Sequence, residues 1–307
     1  MTFHTAIAGR PTVAGLACSA LVALGLASPA AAQNNVTLDN LRITMPEGKN
    51  TLTIPKVEVT NTNLSRDEVA RLFSSDITGP QANELATRMK AARVSIPEAA
   101  LAGKDGRIAF GPFLATGIDQ GKFEKASLGG FAGTFANEKG GEGSVKANAV
   151  ELEGGNLASV LAAARDGDMA KATVQLGRIN WSGFEARFPD KDTPATAPGG
   201  NFYVIKLGAL NGLTSYEGNV PVRSAGSVQG LVIEPPKASG FGKSLADFGL
   251  QRLDLGFSVG ATYDPKARNL ALSDYTVSGV EAGSLGLTGR FGNVDSSVFT
   301  TAGVERL

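Results

Sequence analysis

Four carboxylates are the best candidates for chemistry in this chain. Glu151 and Glu153 alternate along one apolar-polar segment, and Asp254 and Asp274 hold similar positions in two others. Two acids flanking a glycosidic bond are sufficient for its hydrolysis, so carboxylate-only hydrolysis is one candidate activity. Charges at alternating strand positions usually face water, however, which favours a solvated outer face as the simpler interpretation.

Other reactive side chains are scarce. The chain has one histidine, His4, and one cysteine, Cys18, and both lie in the first thirty residues. Without them a mature chain has no imidazole base, no thiolate nucleophile and no common zinc site. The sequence therefore predicts a non-enzymatic protein with no cofactor and no metal, with the hydrolase as an alternative.

One glycine-rich segment is similar to a phosphate-binding loop. The segment Gly240-Phe241-Gly242-Lys243-Ser244 opens a predicted helix, but Lys237 stands where the motif requires its first glycine. A plain helix entry is the better interpretation, and nucleotide binding is not expected.

The first 32 residues have the features of an export signal. Arg10 precedes an apolar run over 13–27, and a stretch of alanines ends at Ala32. We expect cleavage between Ala32 and Gln33, which predicts a periplasmic location. Lipid attachment at Cys18 is the weaker alternative, because the apolar run continues beyond it.

Charge and hydropathy limit the partners. Arg10 is the only one of the 29 basic residues ahead of Gln33, which leaves 28 basic against 29 acidic residues. Nucleic acid is not expected as a partner, since it requires a basic patch. No later apolar run approaches the roughly 20 residues of a spanning helix. A lipid-like ligand or an envelope protein is the expected partner.

Strand patterns dominate the remainder. Apolar residues alternate from Leu253 to Tyr263, and two further strands follow, beginning near Leu270 and Gly283. These segments predict an antiparallel three-strand meander. The alternation slips by one residue between Leu272 and Tyr275, as at a β-bulge.

The same slip occurs elsewhere. It separates Leu38 from Leu41 and Leu176 from Ile179, and the 39 glycines of the chain also suggest many turns and bulges. The sequence predicts a β-rich protein with irregular strands.

Three helical stretches interrupt the strands. Ser65 and Glu68 have the spacing of a capping box ahead of an apolar stripe. A second helix is expected over 81–92, with Leu85 and Met89 on one side. A third is expected over 241–250. Its apolar stripe is typical of a core and consists of Phe241, Leu245 and Phe248.

Two segments share a sequence pattern that predicts a strand, a turn and a helix. Val57-Glu58-Val59 precedes Asn63-Leu64, and Val150-Glu151-Leu152 precedes Asn156-Leu157, each followed by a helical stretch. The second helix would use Leu157, Val160 and Leu161. We interpret the repeated pattern as an internal duplication over about 36–165 and 145–292, within a single β-rich domain over 33–307.

The C-terminal segment resembles a group of uncharacterised exported proteobacterial envelope proteins. The resemblance rests on a short helix followed by Leu253-Asp254-Leu255, Tyr263-Asp264-Pro265 and Leu270-Ala271-Leu272. It implies an envelope protein and supplies no catalytic residue. A more distant similarity of pattern links such chains to long, curved β-sheet proteins that handle lipids.

The expected fold is α+β and mainly antiparallel β. It is an extended curved sheet with strand-helix-strand units and the C-terminal three-strand meander. The expected function is non-enzymatic binding of an apolar or amphiphilic ligand, or of an envelope partner, through a sheet surface. A small outer-membrane β-barrel is a second alternative. The candidate apolar-face residues are Phe241, Leu245, Phe248, Leu253, Leu255 and Phe257.

Overall fold

The computed structural model describes residues 34–44, 50–104, 106–136, 141–156, 158, 161, 175–197 and 200–299. Ala32 and Gln33 of the expected cleavage site lie outside these residues, as do Leu157 and Val160. The chain from Asn34 onward forms a compact unit of its own. The described residues are 63% strand and 13% helix, which confirms the expected α+β class with mainly antiparallel sheet.

One sheet contains all the described strands. Its sixteen strands are β1 (Asn34–Thr44), β2 (Asn50–Thr62), β3 (Lys90–Ile96), β4 (Ala99–Gly103), β5 (Gly106–Phe110), β6 (Phe113–Asp119), β7 (Lys122–Leu128), β8 (Phe131–Ala136), β9 (Glu142–Ala147), β10 (Val150–Asn156), β11 (Leu176–Pro189), β12 (Phe202–Glu217), β13 (Val220–Glu234), β14 (Leu253–Asp264), β15 (Asn269–Gly279) and β16 (Gly283–Phe291).

Four pairs of consecutive strands are each separated only by a short break. When each pair is counted as one strand, neighbours in the sheet are also neighbours in sequence. β3 and β4 both pair with β2. Glu58 faces Ser95 and Thr53 faces Ala100, and the two pairs are five positions apart on both sides, so the register does not change between β3 and β4. The pairs β5 with β6, β7 with β8, and β9 with β10 behave in the same way. Each pair is one long strand, so the sixteen strands make twelve long strands in an up-and-down meander from β1 to β16.

The breaks lie on one line across the sheet, which we call the first crease. Gly111 donates its amide to the carbonyl of Gly130 at 2.8 Å, and Asn148 donates to the carbonyl of Gly183 at 2.9 Å, so pairing continues through the line. The residues that follow one another along the first crease are Asn40, Pro55, Glu98, Gly111, Gly130, Asn148, Gly183, Gly208 and Gly230.

Side chains change their alternation at this line. Gly130 and Gly183 have φ angles of 100° and 65°, in the left-handed region that favours glycine. An extra bulge-like residue restores to one face two side chains that are three positions apart. Accordingly, the rings of Trp181 and Phe184 lie 5.4 Å apart on either side of Gly183.

A second crease runs parallel to the first. Asn61, Gly117 and Gly154 have φ angles of 52°, 63° and 63°, and each lies six residues from the first crease on its own long strand. Between the two creases, each long strand presents two side chains to one face. We call the full set of these side chains on the apolar face the central band.

Two of the slips expected from sequence are confirmed. Asn40, with φ of 55°, lies between Leu38 and Leu41, and the residues Leu272 and Tyr275 flank a register shift against β16. The C-terminal meander is also confirmed, since β14, β15 and β16 pair in sequence order and antiparallel.

Three α-helices are described: α1 (Arg66–Leu72), α2 (Gly79–Arg88) and α3 (Gly240–Asp247), with a 3₁₀ turn at Ser296–Phe299. The capping box ahead of α1 is confirmed, because Ser65 and Glu68 each accept a hydrogen bond from the other's backbone amide. Val69 and Leu72 of α1 are buried in a core against the N-terminal strands.

The predicted boundaries of α2 are wrong by two residues at the start and four at the end. Asn63 explains the early end, because its side chain donates to the carbonyl of Arg88 at 2.9 Å and accepts from the amide of Lys90 at 2.7 Å. This clamp ends the helix and starts β3. Leu85 and Met89 are nevertheless buried, as expected.

Candidate functional site

One face of the sheet is apolar along the whole central band. Every position in it is aliphatic, aromatic or glycine, with no charge and only two side-chain hydrogen-bonding groups, those of Trp181 and Tyr275. The band comprises Val36, Leu38, Val57, Val59, Val94, Ile96, Phe113, Ala115, Ala126, Leu128, Val150, Leu152, Ile179, Trp181, Leu210, Gly212, Gly226, Val228, Phe257, Val259, Tyr275, Val277, Leu285 and Leu287.

The band is long and narrow. Twelve long strands are separated by eleven spacings of about 4.8 Å, which gives a length of about 50 Å across the strands. Its width is only two side chains per strand. The band is therefore a long, narrow apolar strip whose long axis is perpendicular to the strands, and we also call it the apolar track.

Helices cover the N-terminal part of this track and leave a cavity. The cavity has a volume of about 180 Å³ between α1, α2 and the sheet. All of its lining is apolar, and it consists of Val59, Val69, Leu72, Phe73, Ala86, Met89, Val94, Ile96, Phe113, Ala115, Ile118, Gly121 and Leu161. Five of these residues belong to the central band.

The C-terminal part of the track is an open groove. It has a volume of about 310 Å³ over β12 to β15. Its central-band residues are Leu210, Gly226, Val228, Phe257, Val259 and Tyr275. Val259 and Tyr275 are exposed despite their size. The covered cavity and the open groove therefore lie on the same apolar track.

Trp181 lies between the cavity and the groove. Its indole Nε1 is buried and has no hydrogen-bond partner among the described residues, although buried donors are almost always paired. Ile179 and Phe184 are its neighbours on the same face of β11, and Leu210 faces it from β12. An apolar track thus contains one unsatisfied donor close to its middle.

The candidate apolar-face residues divide into two groups. Leu253, Leu255 and Phe257 share one face of β14, and Leu255 and Phe257 face Leu231 and Val228 of β13. Phe257 belongs to the central band, while Leu253 and Leu255 continue the apolar face beyond the first crease.

The helical stripe is a core stripe only at Leu245, which is buried. Phe241 is 39% exposed and Phe248 is 81% exposed. The reason is that α3 ends at Asp247, so Phe248 is the C-cap residue and no longer follows the helical spacing. The glycine-rich segment is a helix entry, with Ser239 accepting the amide of Gly242 at 3.0 Å.

The candidate acids alternate with the apolar-face residues on the opposite face of the sheet. Glu153 lies 3.7 Å from Arg178, and Asp254 lies 3.4 Å from Arg252. Asp274 accepts hydrogen bonds from Thr276 and Ser258, each at 2.7 Å, and these bonds lower its pKa. A general acid requires a pKa raised towards neutrality, so this environment does not prepare Asp274 for that role.

Comparison with known proteins finds no matching protein family, no matching curated protein and no matching solved structure. Among the described residues, no helix combines the length and the apolar character required to cross a membrane. The geometry of the apolar face is consequently the basis for a functional proposal.

Proposed function

We propose that this protein is an exported, periplasmic binder of a long-chain amphiphile, whose hydrocarbon chain lies along the central band. The observation that carries the proposal is the continuity of the apolar track between the covered cavity and the open groove. Burying apolar surface contributes about 25 cal/mol per Å², so a hydrocarbon chain gains from every strand that it crosses.

The hydrogen-bonding groups along the track favour a hydrocarbon chain over a peptide as the ligand. An extended peptide needs partners for each of its amide and carbonyl groups when it is buried. Within the described central band, the side chains offer only the hydroxyl of Tyr275 and the Nε1 donor of Trp181, and the latter has no partner there. One acceptor oxygen of a headgroup or ester would satisfy that donor, while the chain requires no hydrogen bond.

The ligand class follows from these two features. It is an amphiphile with one long acyl or alkyl chain and at least one oxygen acceptor, such as a fatty acid or a lysolipid. No acid or base of the protein is required to act on it. Binding is therefore proposed without chemistry.

Trp181 provides the test, because it is the only tryptophan of the chain. Palmitate titrated into the full-length protein should change the tryptophan emission to saturation, whereas acetate should not. Organic extraction of the purified protein should also release a long-chain lipid. Equal responses to acetate and palmitate would contradict a site for the chain.

Two adjacent residues of β13 give a matched pair of variants. Val228→Asp places a charge in the groove, whereas Gln229→Asp places it at the next, exposed position of the same strand, which does not line the groove. We expect Val228→Asp to weaken palmitate binding by at least about tenfold, because burying an unpaired charge costs more than about 1.4 kcal/mol. Gln229→Asp should bind like the wild type. Equal loss in both variants would count against the assigned face.

A further inference from the structure

The two edges of the sheet differ in how their backbone groups are satisfied. At β1, Arg66 donates its Nη1 to the carbonyl of Thr37 at 2.6 Å, and the amide of Thr44 donates to Ser75 Oγ at 3.0 Å. Side chains from the helical segment thus occupy that edge. Among the described residues, no hydrogen bond other than those to β15 reaches the backbone of β16 between Gly283 and Phe291.

β16 also lacks the usual protection of an edge strand. Natural edges carry lysines, prolines or bulges that prevent pairing with another chain. β16 has no proline and one charge, Arg290, and the one extra residue of its register shift with β15 lies on β15. Leu285 and Leu287 are 74% and 53% exposed. They are the last central-band residues of the apolar face, so the track ends at an open edge.

We infer that β16 is a dimer interface, at which it pairs antiparallel with β16 of a second copy of this chain. A two-fold axis through Gly286 places Leu285 opposite Leu287 of the other copy, and Ser284 opposite Thr288. Arg290 then lies beside Glu281 of the other copy and far from the second Arg290. The strand, together with Glu281 in the turn before it, is therefore complementary to its own copy in hydrophobicity and in charge.

The geometry of this pairing selects a dimer over a filament. A strand added head to tail would have to pair β16 with β1, where Arg66 and Ser75 already occupy the edge. An axis perpendicular to the sheet also keeps both apolar faces on the same side. The central bands of two copies would join end to end. This inference does not depend on the identity of any ligand.

The first test uses mass in solution over a concentration series, by sedimentation equilibrium. The full-length wild type should reach twice the chain mass. The double variant Leu285→Lys, Leu287→Lys should remain at the mass of one chain, because each new lysine would face a lysine of the other copy. Leu213→Lys, at an exposed apolar position of β12 away from the β16 edge, is the control and should still dimerise.

The second test fixes the register. In a Cys18→Ser background, Gly286→Cys places a thiol on the proposed axis, where paired Cα atoms are about 4.5 to 5.5 Å apart and within reach of a disulfide. A Cβ at Gly286 has its nearest neighbour at 3.8 Å, so the variant should fold. Asp39→Cys, an exposed position on β1, is the control for random oxidation.

We expect a disulfide-linked dimer for Gly286→Cys and none for Asp39→Cys. A wild type that stays at one chain mass throughout the series would overturn the inference. So would a dimer that survives both lysines, or equal cross-linking at the β1 position.

Discussion

At the residue scale, a few backbone positions determine which side chains share a face. A regular strand alternates strictly, so residues three apart would lie on opposite faces. Gly130 and Gly183 in the left-handed region correct the phase by one residue. Phe131 consequently joins Leu128 on the apolar face, as Phe184 joins Trp181. Without these glycines the apolar face would end at the first crease.

Replacement of Gly130 by alanine tests this role directly. A Cβ there would lie 2.5 Å from the carbonyl oxygen of Ala147, on a backbone with φ of 100°. We expect Gly130→Ala to lower the free energy of unfolding by about 1 to 3 kcal/mol, measured by urea denaturation. Gly240→Ala, with nothing near its Cβ, should change it by no more than about 0.5 kcal/mol. A tolerated alanine at position 130 would show that the crease does not require glycine.

At the element scale, α1 is held at its start by the capping box and at its side by an ion pair. Glu68 accepts the amide of Ser65 at 2.9 Å and the guanidinium of Arg88 in α2 at 2.9 Å. The backbone hydrogen bond from Ser65 is the larger cause, and the bond from Arg88 the next, of a pKa below the ordinary 4.5 for this carboxyl. One carboxylate thus joins the two helices that cover the cavity.

The lowered pKa of Glu68 predicts how stability depends on pH. The ionised carboxylate contributes fully above its ordinary pKa, and the contribution is lost as the pH falls through the lower pKa of the folded state. Glu68→Gln keeps an oxygen acceptor but cannot ionise. It should therefore be less stable than the wild type near neutral pH, by less than about 1 kcal/mol, and the gap should close between about pH 5 and pH 3.

Urea denaturation at several pH values measures this gap. Glu84→Gln, at an exposed position of α2, is the matched control, because Glu84 makes no ion pair in the described part of the chain. A gap for Glu68→Gln that widens towards acidic pH would contradict the assigned role.

The elements that sequence predicted well are those whose signals are local. Alternation in β14 and the capping box at Ser65 require only neighbouring residues, and both are confirmed. The end of α2 was missed because it depends on Asn63, a residue 25 positions before Arg88. The central band was missed for a similar reason. Each slip, such as that at Leu38 and Leu41, is visible alone, but its alignment with other slips requires the register of the whole meander.

At the scale of the whole molecule, the two ends of the sheet differ in their helix coverage and in the hydrogen bonding of their edge strands. The N-terminal strands carry α1 and α2 over a closed core, and their edge is occupied by Arg66 and Ser75. The C-terminal strands present the same apolar face without described helices over the groove, and their edge is open. A uniform meander therefore has one half whose apolar face is covered by helices and one half whose apolar face is open in the described part of the chain.

This asymmetry predicts where a bound chain would protect the backbone. Strands in a closed core exchange their amide hydrogens only through large openings, whereas strands under an open groove exchange more readily. In deuterium-exchange measurements, palmitate should slow exchange in β12 to β15, where Val228 and Phe257 line the groove, and leave the amides of β1 unchanged. Acetate should have no effect on either group. Protection confined to the strands under α1 and α2 would instead place the chain in the closed cavity and leave the groove without a ligand.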